Sequence, residues 1–149
     1  MNRGAKILIV DDERMVRDAM QQMLEHCGHE VEQAENGEAA LAQLARREFD
    51  VVITDFSMPG MHGDQLVARI RERLPLQHII MASGFVDEYR VFGQPSAHVD
   101  ALLLKPFTFR ELQDTLERVL AVAEPDDSSI VPPLVQRTPE DDSLPPPKL

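Results

Sequence analysis

The sequence predicts an α/β protein: a doubly wound, five-stranded parallel sheet flanked by helices, followed by a disordered C-terminal tail. Three observations carry this. Short apolar runs rich in β-branched residues alternate with segments whose apolar residues recur at helical spacing. The joints between them are short, as a chain of strand–helix–strand crossovers requires. After Ala123 the chain becomes rich in Pro, Asp, Glu and Ser and loses usable periodicity. Residues 1–123 are therefore expected to form one folded domain, and residues 124–149 a Pro-rich, acidic tail or linker.

The elements follow in order. "KILIV" (Lys6 to Val10) has the composition of a strand buried on both faces. A helix is expected from about Arg14, with Val16, Ala19, Met20, Met23, Leu24 and Cys27 as its apolar stripe and Gly28 to end it. "HEVEQA" is the second strand. "NGEAALAQLARRE" is the second helix, with Leu41, Leu44 and Ala45 on one face, and "DVVIT" the third strand. A third helix from about Asp64 carries Leu66, Val67, Ile70 and Leu74 and stops before Pro75. "HIIMA" and "ALLL" are strands four and five. Between them Gly93 and Pro95 interrupt the helical pattern, so a short or irregular helix over about 87–92 is expected. The last helix begins with capping-box spacing, Thr108 and Glu111, before the stripe Leu112, Leu116, Val119 and Leu120.

Composition narrows the function classes. With 149 residues and 43% hydrophobic content, the chain can bury a core without staples. It has no apolar run of about 18 residues and no signal-peptide pattern, so a cytoplasmic protein without membrane insertion is expected. Cys27 is the only cysteine, which rules out an internal disulfide and makes it a small buried residue near a helix end. A net charge of −11 opposes nonspecific binding to nucleic acid and favours a cationic ligand or metal.

Open α/β sheets gather ligands at the carboxyl ends of their strands. Strand one ends in Asp11, Asp12 and Glu13, strand three in Asp55, strand four in Ser83 and strand five in Lys105. Each is ordinary by itself: an acidic pair suits a helix N-terminus, Ser83 suits a turn, and Lys105 suits a solvated surface. Their conjunction is not ordinary. If strands one and three are neighbours, three carboxylates share a crevice, and at least one pKa should rise unless a cation compensates. Oxygen ligands with room for water suit Mg²⁺. With Lys105 and the Ser83 hydroxyl to hold phosphoryl oxygens, Asp55 becomes a nucleophile for phosphoryl transfer, forming an acyl phosphate.

The segments "ILIVDDE", "VVITDFSMPGMHG", "IIMASG" and "LLLKPFTFREL" resemble the signature segments of response-regulator receiver domains of two-component signalling, over roughly Lys6 to Ala123. The resemblance implies a flavodoxin-like fold that takes a phosphoryl group from a sensor histidine kinase or phosphotransfer protein and signals by protein contact or relay. It implies Asp55 as acceptor, Asp12 as direct Mg²⁺ ligand, Asp11 acting through metal-bound water, and a backbone carbonyl of Ser57 on the metal. Ser83 would be the switching hydroxyl, Lys105 the phosphoryl contact, and Lys105–Pro106 a cis peptide. Ser57 and Phe85 fall where the family tunes phosphoryl lifetime. The family often has an aromatic residue at the position of Leu102. That departure, with Gly93 and Pro95, implies a smaller or differently routed output motion.

Two other classes compete. A phosphorylation-independent scaffold would keep the fold but has no need of the acids, hydroxyl and lysine. A Mg²⁺-dependent aspartyl-phosphate phosphatase typically places an Asp-x-Asp nucleophile after strand one and carries a cap domain, whereas this chain has adjacent Asp11 and Asp12. The histidines, His26, His29, His62, His78 and His98, are scattered and form no ligand set. Beyond self-catalysed transfer and loss of the phosphoryl group at Asp55, no enzyme activity is expected.

Overall fold

The computed structural model describes residues 4–84 and 99–123. Its elements are β1 (Lys6–Val10), α1 (Arg14–His26), β2 (Glu30–Ala34), α2 (Gly37–Arg46), β3 (Val51–Asp55), α3 (Gly63–Arg73), β4 (His78–Ser83), β5 (Ala101–Leu104) and α4 (Phe109–Ala123). The expected helix over 87–92, the departures at Gly93 and Pro95, Phe85, His98 and the tail at 124–149 lie outside the described residues. The chain divides into two compact units, Met1–Val119 and Leu120–Leu149. The first holds the sheet and everything below; of the second, only the last turn of α4 is described.

All five strands are parallel, in the order β2-β1-β3-β4-β5. β1 and β3 are thus neighbours, as the site argument requires. The doubly wound α/β class is borne out. Leu8, Val10, Val52, Ile79 and Met81 face one way and share a buried cluster with Ala40 of α2 and Leu66, Val67 and Ile70 of α3. The alternate residues Ile7, Ile9, Ile53 and Ile80, equally buried, point to the opposite face because side chains alternate along a strand. A sheet covered on both faces accounts for strands that are continuous apolar runs.

Helix ends follow local chemistry. Gly28, at φ +94°, ends α1 with its N–H donating to Glu25 O (2.9 Å) while His29 N–H donates to Leu24 O (3.1 Å). This is a Schellman closure, which needs the left-handed conformation glycine adopts freely. Asn36 caps α2 by accepting from Ala39 N–H at 2.7 Å. In α4, Thr108 Oγ1 accepts from Glu111 N–H (3.0 Å) and Glu111 Oε1 accepts from Thr108 N–H (2.8 Å), the reciprocal box predicted from the spacing.

The amino ends of the strands carry a repeated clamp. Asp50 accepts the Lys6 N–H through Oδ2 (2.8 Å) and donates its own N–H to Lys6 O (2.8 Å). Asp100 does the same to Ile79, at 2.7 and 2.8 Å. Each clamp satisfies strand-end backbone groups that the sheet ladder leaves over. Asp100 also lies 3.8 Å from Arg71 and 3.5 Å from His78.

Four stripe assignments need correction. Ala19 and Ala45 are exposed, because the buried faces of α1 and α2 narrow to Met20 and Leu24 and to Gly37 and Ala40. Leu74 caps α3 and is 37% exposed, since the helix stops before it can turn that side chain onto the sheet. Cys27 is half-buried rather than buried. Among the described residues, no helix is long and apolar enough to cross a membrane.

Candidate functional site

Strand register builds the site. Val10 pairs with Thr54, so Asp11 and Asp55, each the next residue, stand level at the carboxyl ends of β1 and β3. Asp55 pairs on its other side with Ala82, and Ser83 with Leu104, which brings the end of β4 and then Lys105 to the same rim. Chains leaving adjacent strands in opposite directions open a crevice at such a switch point. One ligand oxygen each from Asp11, Asp12 and Asp55 can lie within 4.8 Å of one another. Asp11 and Asp55 are buried, at 3% and 7% exposure, while Asp12 is open to solvent.

The acid loop is held from several sides. Asp11 Oδ1 accepts the Glu13 N–H at 2.9 Å, and Asp11 N–H donates to Ala34 O on β2 at 3.2 Å. Arg17 Nη1 donates to Asp11 O at 2.7 Å, while its Nε donates to Gln33 Oε1 at 2.8 Å. The guanidinium thereby ties the loop to α1 and β2 at once.

Lys105 supplies the positive charge. Its Nζ lies 2.9 Å from Asp55 Oδ1 and 3.4 Å from Asp11 Oδ2. Its backbone N–H donates to Ser83 O at 2.8 Å, so the lysine is registered on the end of β4. Burial pushes the Asp55 carboxyl up to about 6, with Asp11 and Asp12 adding to the rise and the hydrogen bond and charge of Lys105 opposing it. Burial alone would lower the Lys105 ammonium. The hydrogen bond to Asp55 and the charges of Asp55 and Asp11 outweigh it, and the net shift is upward.

The loop after Asp55 is shaped by glycines. Gly60, at φ +80°, follows Pro59 in the conformation a type II turn demands of its third residue. Gly63 N–H donates to Phe56 O at 2.8 Å, and a Cβ at Gly63 would collide with the Asp55 carbonyl oxygen. The Phe56 ring is buried and stacks on His62, with centroids 6.3 Å apart. His62 N–H donates to Gln65 Oε1 at 2.8 Å at the start of α3. Ser57 lies in this loop with an exposed side chain.

Of the residues expected from sequence, Asp11, Asp12, Asp55 and Lys105 come together directly. Ser83 is buried at the adjoining strand end, and Ser57 is an exposed residue of the loop after Asp55. The Lys105–Pro106 peptide is cis. Arg17 and Gly63 escaped the sequence argument. A glycine immediately before the expected helix start at Asp64, where a capping side chain is usual, was the available signal for Gly63. Two clefts, about 300 Å³ beside Lys6, Arg46 and Arg47 and about 440 Å³ along Leu102–Leu104 and Arg118, are lined by none of the clustered acids.

The donor set fits a hard divalent cation. All three ligands are carboxylates, which suit Mg²⁺, and the exposed Asp12 leaves one side open for the waters that ion retains. Ionised, the acids outnumber the one ammonium, so the crevice carries the negative charge such an ion would compensate.

Comparison with known proteins agrees. Residues 7–117 match the family model described as the response regulator receiver domain. The chain is 33% identical over 122 residues to the chemotaxis protein CheY-3 of Vibrio cholerae, covering 80% of this chain and 94% of that protein. It is 38% identical over 115 residues to the response regulator protein FleR of Pseudomonas aeruginosa, covering 77% of this chain but only 24% of that one. The solved structure of the Vibrio cholerae chemotaxis response regulator CheY4 matches with a TM-score of 0.72 at 33% identity, over 78% of this chain and 98% of that one. The Thermotoga maritima response regulator TrrA, solved with Mg²⁺ and BeF, matches with a TM-score of 0.71 at 33% identity, over 76% and 97%. Members of the matched family serve phosphorylation-dependent signalling rather than classical enzyme turnover. They interact with histidine kinases or phosphotransfer proteins and generally bind Mg²⁺ at an acidic pocket. By fold, by site and by these matches, this chain belongs to the response-regulator receiver domains of two-component signalling.

Proposed function

We propose that this protein accepts a phosphoryl group on Asp55 from the phosphohistidine of a sensor kinase or phosphotransfer protein, and that the phosphorylated form signals by protein contact or by passing the group on. The observation that carries this is the Lys105 ammonium held 2.9 Å from Asp55 beside Asp11 and Asp12. That arrangement leaves Asp55 one oxygen for attack and places positive charge where phosphoryl oxygens would gather.

In the transfer, an Asp55 carboxylate oxygen bonds to phosphorus as the phosphorus–nitrogen bond of the donor breaks, and the departing imidazole leaves with its bonding electron pair and a proton from solvent. Asp55 must be ionised to attack, and its elevated pKa makes that ionisation sensitive to the cation. Asp12 is proposed as direct ligand of Mg²⁺, Asp11 as partner of its bound water, and Asp55 and the Ser57 carbonyl as further ligands. The ion supplies charge compensation for the carboxylates and the phosphoryl oxygens. Lys105 holds the phosphoryl group from the β5 side, and the Ser83 hydroxyl follows it inward. A cytoplasmic location, without direct binding to nucleic acid, goes with this role.

Leu102 is half-buried and packs against the core cluster. With no ring there to swing, the output motion is proposed to be small at this position. Chemical-shift mapping with and without beryllofluoride tests this: a large change at residue 102 overturns it.

The central test is intact mass after incubation with Mg²⁺ and acetyl phosphate. One phosphoryl adduct is expected on the wild type and none on Asp55→Ala. No adduct, together with no binding of beryllofluoride, would favour the scaffold reading.

A further inference from the structure

The β2–α2 turn touches both halves of the acidic site. At its start, Ala34 O accepts the N–H of Asp11 at 3.2 Å. Three residues on, Gly37 opens α2, fully packed against the side chain of Met61, which projects from the loop following Asp55. A Cβ at Gly37 would lie 2.5 Å from Met61 Sδ, and within 3.2 Å of Met61 Cγ and Cβ as well. The same loop is fixed at its far end, where Gly63 lies against Asp55 and Phe56. Ser57 lies in the same loop, between Asp55 and Met61.

We infer that the Ala34–Gly37 turn braces the acid loop against the acceptor loop, and that Gly37, with Met61 seated on it, is a positioning residue for metal binding and phosphoryl transfer at Asp55. The inference rests on the function proposed above. It assigns that function a determinant outside the carboxylates, the lysine and the hydroxyl. Two contacts connect the loops through one short segment: a backbone hydrogen bond on the Asp11 side and a glycine seat on the Met61 side. Gly37 is the first residue of a helix and has no positive φ, so alanine suits its backbone. A side chain there would meet only Met61, whose thioether would have to turn away and whose Cγ and Cβ would have to give ground.

This gives a size-compensation test. Gly37→Ala should bind Mg²⁺ more weakly and take up the phosphoryl group from acetyl phosphate about tenfold more slowly, because small misplacements of reacting groups cost rate steeply. Gly37→Ala combined with Met61→Ala, which clears the collision, should recover most of both. Urea unfolding of all variants separates positioning from stability: the Gly37→Ala protein should unfold at a denaturant concentration close to that of the wild type. Wild-type behaviour of Gly37→Ala in both assays overturns the inference. So does a double variant no better than Gly37→Ala. If the wild type binds Mg²⁺ but takes up no phosphoryl group, the proposed function fails, and Mg²⁺ affinity across the same variants still decides for or against the brace.

Discussion

The Lys105 ammonium and the Asp55 carboxylate meet at 2.9 Å across the ends of β5 and β3, with β4 between them. Under the proposed function, Lys105 would both attract incoming phosphoryl oxygens and compete for the charge on Asp55. The two roles separate on mutation. Lys105→Met should slow phosphoryl uptake by about 10²-fold, the usual scale for losing one preorganised electrostatic contact. Mg²⁺ binding should persist or tighten, because the competing cation is gone. Mass spectrometry for uptake and a Mg²⁺ titration by NMR check the two halves; a loss of Mg²⁺ binding would contradict the competition.

The elevated Asp55 pKa makes the metal-free protein pH-dependent in a defined direction. The folded state holds the proton up to about 6 against an ordinary value of 3.8. The associated stability is therefore fully present below 3.8 and is lost as pH rises through about 6. The change corresponds to roughly 3 kcal/mol at most. With metal chelated, Asp55→Asn should be more stable than the wild type at pH 8 and gain little at pH 4; urea unfolding at both values measures it. Added Mg²⁺ should shrink the difference at pH 8.

His29 works in the opposite sense. Its Nδ1 accepts the Ala5 N–H at 3.0 Å, which requires the unprotonated nitrogen. Burial lowers its pKa below 6.5, with the charge of Glu117 opposing. The stability tied to the neutral ring is present above 6.5 and declines as pH falls through the lowered value. His29→Gln should show a shallower loss of stability between pH 7 and 5 than the wild type, compared in the Asp55→Asn background to remove the opposing titration.

The aspartate clamps at the strand starts should matter to folding and not to chemistry. Asp50→Ala and Asp100→Ala each remove a charge-assisted bond to a backbone N–H, costing about 1.5–3 kcal/mol in urea unfolding. Phosphoryl uptake by the folded fraction should be unchanged. A selective loss of uptake in either variant would show that the amino rim communicates with the site.

Thr108→Ala removes one half of the α4 capping box and should cost about 1 kcal/mol. Glu111→Ala, removing the other half, should cost no more. Denaturant midpoints for the single and double variants decide whether the two bonds are independent.

Most of the fold was legible because each element announces itself locally. The capping box at Thr108, the helix stop at Gly28 and the apolar strands need no knowledge of distant residues. The rim carboxylates and Lys105 were legible for a related reason: a strand end is a sequence position, and a parallel sheet sends all its strand ends to one side. What escaped was contact between segments remote in sequence. Gly37 looks like any glycine after an asparagine until Met61 is seen resting on it. Arg17 looks like a surface residue until the Asp11 carbonyl is found in its reach. The exposed Ala19 and Ala45 show the converse, since alanine is apolar enough to fit a stripe and too small to require burial.

The sheet's two rims treat carboxylates differently. At one, Asp50 and Asp100 each clamp a separate strand end; at the other, Asp11, Asp12 and Asp55 crowd together around Lys105. Durability and responsiveness are therefore written at opposite poles of the molecule. An engineer could harden this module for hot or dilute conditions by working at the first pole, leaving the carboxylate cluster at the other untouched.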